Sequence, residues 1–90
     1  MYDAKSRDRL RADEKRNVLS EYKIRVGCAD CGYNDNPAAL EFDHLPGKEK
    51  TRTVASLVYH SWEKIWSEVA KCEVVCSNCH SIRTIERLKL

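Results

Sequence analysis

The sequence predicts a small α+β domain, and three observations lead to that prediction. The chain has 90 residues, which is enough for one domain but too few for two separate cores. Apolar residues repeat with helical spacing near both ends of the chain, whereas apolar and acidic residues alternate as in a strand at 39–44. Two Cys-x2-Cys pairs flank this strand. Because a core of this size stabilises a fold only weakly, we expect the cysteines to help hold the domain together.

Composition and charge restrict the classes of protein to which this chain can belong. Hydrophobic residues make up 42% of the chain and charged residues 33%, which is typical of a globular domain. The net charge of +2 does not by itself indicate a nucleic-acid partner. No apolar run approaches the ~18 residues of a membrane span, and the first residues lack the apolar segment of a signal peptide. We therefore expect a soluble, intracellular, cytoplasmic protein without a membrane partner.

The N-terminal segment, residues 1–26, is predicted to be a basic helix added to a domain of residues 27–90. Residues 1–27 contain eight basic and five acidic side chains, and these basic groups could follow a phosphate backbone. The interleaved acids make an ordinary solvated helix an equally good interpretation. An apolar stripe predicted to face the core consists of Val18, Leu19, Tyr22 and Val26.

The remaining elements follow from turn residues and periodicity. The strand at 39–44 ends before Pro46, and residues 53–59 are apolar but too short to assign to helix or strand. Ser61 caps a helix, and residues 73–75 can form a second strand before a terminal helix. The helix after Ser61 has an apolar face of Trp62, Ile65, Trp66 and Val69, which predicts that both tryptophans lie in the core; the terminal helix has an apolar edge of Ile82, Ile85 and Leu88.

The two cysteine pairs, Cys28 with Cys31 and Cys76 with Cys79, predict one structural Zn²⁺ site. A two-residue turn directs both sulfurs of a pair toward one tetrahedral ion, and paired cysteines in a reducing compartment are more often metal ligands than disulfides. The alternative is four buried free thiols, and the fifth cysteine, Cys72, is interpreted as a core thiol.

The first cysteine pair is not predicted to belong to a classical zinc finger. His44 follows Cys31 at the spacing of a third finger ligand, but no histidine stands where the fourth is needed. The two pairs are therefore assigned to the same ion.

Asp43, His44 and His80 form a second candidate site. If the strand packs beside the terminal helix, Asp43 and His80 can share a divalent cation such as Mg²⁺ or Mn²⁺, and His44 can reach a water molecule beside it. A neutral imidazole is a suitable base for activating that water. The alternative is that Asp43 and His44 belong to a surface turn and that His80 only caps the terminal helix.

The segment Leu40-Glu41-Phe42-Asp43-His44, between the knuckles Cys28-x2-Cys31-Gly32 and Val75-Cys76-x2-Cys79-His80, resembles the HNH endonuclease family in its small four-cysteine zinc form, typical of phage and bacterial proteins. The resemblance covers residues 28–84. It implies a ββα-metal core in residues 27–90, with the cysteines holding structural zinc.

The resemblance also implies a role for each residue of the second site. His44 matches the general base, Asp43 the metal-binding acid and His80 the second metal ligand. The family's middle asparagine has no counterpart at the usual place, where this chain has Lys71 and Cys72, and His60 and Asn78 are possible substitutes. Candidate DNA contacts are Arg83, Lys71 and Arg52, with Lys48 and Lys50.

The sequence thus predicts a metal-dependent DNA endonuclease that nicks DNA or cleaves both strands. One alternative is a non-catalytic zinc-ribbon module that binds nucleic acid or protein. Another is an accessory subunit of phage DNA packaging whose activity needs a partner. The expected partners are DNA and either a second copy of the chain or a packaging protein, and a phage-encoded chain would act in the cytoplasm of its host.

Overall fold

The computed structural model describes the backbone of residues 4–89 and the side chains of residues 8–89. The predicted α+β class is confirmed within these residues. In chain order the elements are α1 (Ala4–Val26), a 3-10 helix (Pro37–Ala39), β1 (Leu40–His44), a second 3-10 helix (Val54–Tyr59), α2 (Trp62–Val69), β2 (Cys72–Cys76) and α3 (Ser77–Leu88). Residues 1–3 of the predicted N-terminal helix lie outside the described part.

The two strands form an antiparallel pair in which Leu40 lies opposite Cys76 and His44 opposite Cys72. Both strands were predicted, and β2 is one residue longer at each end than the sequence indicated. Because side chains alternate between the faces of a strand, consecutive residues of β1 point in opposite directions. One face of the sheet carries the acidic side chains Glu41, Asp43 and Glu73, and the other carries Leu40, Phe42 and His44.

The core lies mainly on the second of these faces. Its first cluster joins α1, the 3-10 helix Val54–Tyr59 and α2, and its second joins the first cysteine knuckle to both strands. The segment 53–59, which periodicity could not assign, is thus a 3-10 helix that Thr53 caps by accepting a hydrogen bond from the Ser56 amide. The buried residues of the first cluster are Ala12, Leu19, Val54, Leu57, Val58, Ile65 and Val69.

Helix α1 contributes a narrower stripe to this core than its sequence predicts. Leu19 is buried and Tyr22 packs against Phe42, but Val18 and Val26 are exposed. These two exposed valines lie on sides of α1 that do not face the core. None of the described helices is both long and apolar enough to cross a membrane.

The prediction that both tryptophans lie in the core is wrong. Trp62 is half-buried, and Trp66 retains 38% of its surface exposed while stacking on Trp62 with ring centres 5.5 Å apart. Helix α2 has only eight residues, and Ile65 and Val69 already fill its contact with the core. Ser61 caps α2 as predicted, since its hydroxyl accepts a hydrogen bond from the Lys64 amide.

The apolar edge predicted for α3 is exposed, because α3 turns its polar side toward the acidic face of the sheet. Ile82 and Ile85 both retain more than half of their surface exposed, whereas Arg83 reaches acids on both strands. Ion pairs therefore hold this side of α3 against the sheet.

Two isoleucines provide a matched test of the core. Ile65 is completely buried, and Ile85 is 53% exposed. We expect Ile65→Ala to lower the free energy of unfolding by about 2–5 kcal/mol, because it removes buried methyl groups and leaves a cavity. We expect Ile85→Ala to change it by no more than about 0.5 kcal/mol. Urea unfolding followed by circular dichroism measures both, and equal effects would contradict the described packing.

Candidate functional site

The four cysteines of the two predicted pairs form one cluster. Their sulfur atoms all lie within 4.8 Å of one another, and the Cys31 and Cys76 sulfurs are 3.7 Å apart. Sulfurs at the corners of a tetrahedral zinc site with bonds of about 2.3 Å are about 3.8 Å apart. The cluster can therefore hold a structural metal ion such as zinc.

Local backbone geometry brings the cysteine pairs together. Gly27 ends α1 in the left-handed conformation, with φ of 75°, and Gly32 closes the first knuckle with φ of 81°. The Ala29 amide donates to the Val74 carbonyl at 2.8 Å, which fixes this knuckle to β2. In the second knuckle the Cys76 sulfur caps α3 by accepting a hydrogen bond from the Cys79 amide.

The thiols of the cluster influence one another's ionisation. Burial raises the pKa of Cys28, but backbone hydrogen bonds from Cys76, Cys31 and Asp30 outweigh burial and lower the pKa to about 6. The pKa of Cys79 is raised by the Cys76 sulfur, then by burial and by the Cys28 sulfur. Four adjacent thiolates repel one another unless a cation neutralises them, which is the charge balance of a zinc site.

Cys72 lies outside this cluster. Its thiol donates a hydrogen bond to the Glu68 carbonyl at 3.4 Å and packs against the first core cluster. Burial, followed by the negative charges of Glu68 and Asp43, raises the pKa of Cys72 to about 11. A protonated, half-buried thiol agrees with its interpretation as part of the core.

Asp43 is buried on the acidic face of the sheet, with only 2% of its surface exposed. Arg87 donates to both of its carboxylate oxygens, at 2.9 and 2.8 Å, and Arg83 donates at 2.9 Å. Arg87 is the main reason that the pKa of Asp43 falls to about 2 despite burial. The buried negative charge is therefore balanced by two arginines of α3.

His80 lies beside this carboxylate, on the first turn of α3. Its Nδ1 is 2.6 Å from Glu41 Oε1, and its Nε2 is 3.4 Å from Asp43 Oδ1. An ionised Glu41 can only accept a hydrogen bond, so Nδ1 carries the ring proton in this contact. In the neutral ring the lone pair of Nε2 then faces the Asp43 carboxylate.

His44 is on the opposite face of the sheet from Asp43 and His80. Its Nε2 lies 2.7 Å from Glu68 Oε2, and its side chain is largely buried. The structure thus brings Asp43 and His80 together, as the sequence predicted, while placing the His44 ring against α2 instead of beside that pair.

Three of the candidate DNA contacts, Arg52, Lys71 and Arg83, also lie on two different sides of the molecule. Arg52 and Lys71 line a groove of about 430 Å³ beside Glu68, on the His44 side of the molecule. Arg83 is on the other side, where Asp30, Asp43 and Glu73 accept hydrogen bonds from its guanidinium. A phosphate would have to compete with these acids for Arg83.

Sequence reasoning did not single out Glu41, Glu68 or Arg87 for this site. Each contacts a candidate residue that is at least 24 positions away in the chain. Glu41 could have been predicted from the sequence, because side chains alternate along a strand and Glu41 therefore shares a face with Asp43. The indication for Glu68 is weaker: it is a charged residue between the apolar positions of α2.

No protein-family model matches this chain, and no curated protein or solved structure is significantly similar to it. Membership of the HNH family therefore stays a prediction from the motifs.

Proposed function

We propose that the protein is a metal-dependent endonuclease of the HNH type that hydrolyses phosphodiester bonds in DNA. The observation that carries this proposal is the convergence of His80 Nε2 and Asp43 Oδ1, 3.4 Å apart, next to the four-cysteine cluster. Neighbouring ligands of an octahedral cation with bonds of about 2.1 Å lie about 3.0 Å apart. A small adjustment would therefore let these two atoms share a Mg²⁺ or Mn²⁺ ion.

The surroundings of His80 support a role as a metal ligand. Histidines that bind metals commonly donate their second ring N–H to a carboxylate, which orients the ring. Glu41 accepts such a hydrogen bond from His80 Nδ1. A cation held by Asp43 and His80 would neutralise charge on the scissile phosphate and on the leaving oxygen.

The position of His44 determines how DNA would have to lie. His44 is the last residue of β1 and directly follows Asp43, so their side chains leave the same strand end on opposite faces. We therefore place the scissile phosphate beside the end of β1, with His44 as the general base and Arg52 and Lys71 on its own side of the sheet.

A non-catalytic binding module is the second candidate, and one observation favours it. The carboxylate of Asp43 already accepts three hydrogen bonds from Arg83 and Arg87. Such an acid can be purely structural, because two guanidinium groups satisfy its charge without a metal ion. A module of this kind would bind DNA or protein and cleave nothing. An accessory subunit of phage DNA packaging would cleave only with its partner present.

Plasmid nicking tests the proposed activity. We expect zinc-loaded protein to convert supercoiled plasmid to the relaxed form with added Mg²⁺ or Mn²⁺ and not without a divalent cation. Metal analysis must show one zinc per chain in every reaction, so that loss of activity is not loss of fold. Cleavage that is independent of added cation would contradict the proposal, and DNA binding without cleavage would support the binding module.

Arg87 provides a more specific test of the cation site. A cation on Asp43 Oδ1 must displace Arg87, which donates to that oxygen at 2.9 Å. We therefore expect Arg87→Gln to bind Mn²⁺ more tightly than wild type in the absence of DNA, as measured by electron paramagnetic resonance. Arg9→Gln, an exposed substitution on α1, should leave Mn²⁺ binding unchanged. Equal affinities for wild type and Arg87→Gln would argue against a cation at Asp43.

A further inference from the structure

Glu68 is a buried carboxylate whose neighbours are unusual for the core side of a helix. Only 3% of its surface is exposed, and it lies on α2 between the buried residues Ile65 and Val69. Three groups from different parts of the chain meet its two oxygens. They are His44 Nε2 at 2.7 Å, the Thr51 amide at 3.1 Å and Lys71 Nζ at 3.1 Å.

These contacts determine whether the Glu68 carboxyl group is ionised. The Thr51 amide and the Lys71 ammonium are donors only, so the carboxylate must accept from both. Burial raises the pKa of Glu68, but hydrogen bonds from Lys71, His44 and Thr51 outweigh burial and lower the pKa to about 2. Glu68 is therefore ionised at neutral pH, and its contact with His44 requires the ring to donate from Nε2.

We propose that Glu68 is the positioning residue for His44, holding the ring proton on Nε2 and leaving Nδ1 as the atom that accepts a proton from water. This proposal rests on the proposed endonuclease function. It adds a residue that acts through His44 without touching the DNA, and it names the nitrogen that takes part in the reaction.

In the proposed step, one O–H bond of the attacking water breaks and its proton moves to His44 Nδ1, while the water oxygen forms a bond to phosphorus. The bond between phosphorus and the leaving sugar oxygen breaks, and that oxygen takes a proton from solvent. The imidazolium formed on His44 is stabilised by the negative charge of Glu68 at 2.7 Å.

A glutamine at position 68 cannot reproduce this arrangement. If its carbonyl oxygen faces His44 and Thr51, its NH₂ group faces the Lys71 ammonium. If it is turned the other way, its NH₂ group faces the Thr51 amide and donates to the ring. Either orientation leaves two donors opposed and removes the negative charge, although the size of the side chain is retained.

Nitrogen NMR of the histidine rings tests the proposal without depending on activity. In zinc-loaded wild-type protein without DNA, we expect the neutral ring of His44 to carry its proton on Nε2, with Nδ1 unprotonated. The signals are assigned by their loss in His44→Ala. A wild-type ring with its proton on Nδ1, or with both forms mixed, would overturn the proposal even if no Glu68 variant folds.

Nicking kinetics provide the second readout. We expect Glu68→Gln to lower kcat by at least about 10-fold with an unchanged KM for DNA, since the carboxylate stabilises the imidazolium and not the bound DNA. Glu21→Gln removes one exposed carboxylate from α1 and should leave both constants unchanged. Zinc content and circular dichroism must match wild type in both variants.

The outcomes separate this proposal from the proposed function. If wild type nicks DNA but a folded Glu68→Gln is as active as Glu21→Gln, the positioning role is wrong and the nuclease assignment stands. If Glu68→Gln does not fold, the tautomer of the wild-type His44 ring decides: a proton on Nε2 supports the positioning role, and a proton on Nδ1 overturns it. If wild type does not nick DNA under any cation, both proposals are overturned.

Discussion

Replacing His44 with alanine is expected to slow plasmid nicking by about 10²- to 10⁴-fold, the usual contribution of a general base. The substitution removes the proposed proton acceptor but leaves the four cysteines and the Asp43–His80 pair in place. Cation binding and DNA binding should therefore be unchanged. A loss of rate with an unchanged KM for DNA would identify His44 as a residue of the chemical step.

A folding defect in His44→Ala would also slow nicking, so a second measurement must distinguish a missing base from a misfolded protein. Imidazole added to the medium should restore part of the rate of His44→Ala, because it supplies the missing base, and should not accelerate wild type. Zinc content and circular dichroism establish that the variant is folded. If His44→Ala nicks as fast as wild type, the nuclease assignment of this site is wrong.

The second large effect concerns the cysteine cluster. Cys76 ends β2 and caps α3, and its sulfur lies 3.7 Å from the Cys31 sulfur. A serine at this position can keep the cap, because its hydroxyl can accept from the Cys79 amide, so Cys76→Ser tests the loss of one candidate metal ligand. We expect Cys76→Ser to bind less than one zinc per chain and to lose its cooperative thermal transition, since zinc binding contributes directly to folding free energy. Removing zinc from wild type with a strong chelator should have the same effect.

Cys72 is the matched control for this substitution. It lies four residues earlier in the same strand and outside the cluster, and a serine there can still donate to the Glu68 carbonyl. We expect Cys72→Ser to retain one zinc per chain and a cooperative transition. Metal analysis and thermal melts measure both variants. A stably folded Cys76→Ser with no zinc would show that the thiol cluster does not hold the domain together.

Much of the fold could be predicted because its signals are local. The strand Leu40–His44 follows from the alternation of apolar and acidic residues, and Ser61 marks the start of α2 by its capping chemistry. The two Cys-x2-Cys spacings predicted one four-sulfur cluster, since each spacing restricts where its own pair of sulfurs can point.

Predictions of burial were less successful, because periodicity shows which residues share a face and not whether that face meets a partner. Trp66 belongs to the apolar face of α2 and is nevertheless exposed, since the core contact of this short helix ends at Ile65 and Val69. The apolar edge of α3 is exposed for a different reason. Arg83 and Arg87 of α3 form ion pairs with Asp43 on the acidic face of the sheet, which leaves the apolar edge of the helix facing away from the sheet.

The sequence by itself determined the α+β class, the main elements and the cysteine cluster, and it singled out Asp43 and His80 as a pair that would meet if the strand packed beside the terminal helix. Only the tertiary structure decided that Arg83 and Arg87 neutralise Asp43 and that Glu68 holds His44. These contacts join residues 24 to 44 positions apart, and they satisfy buried charges that no local pattern can pair. A buried carboxylate must find donors wherever the fold brings them, so its partners are a property of the packed chain.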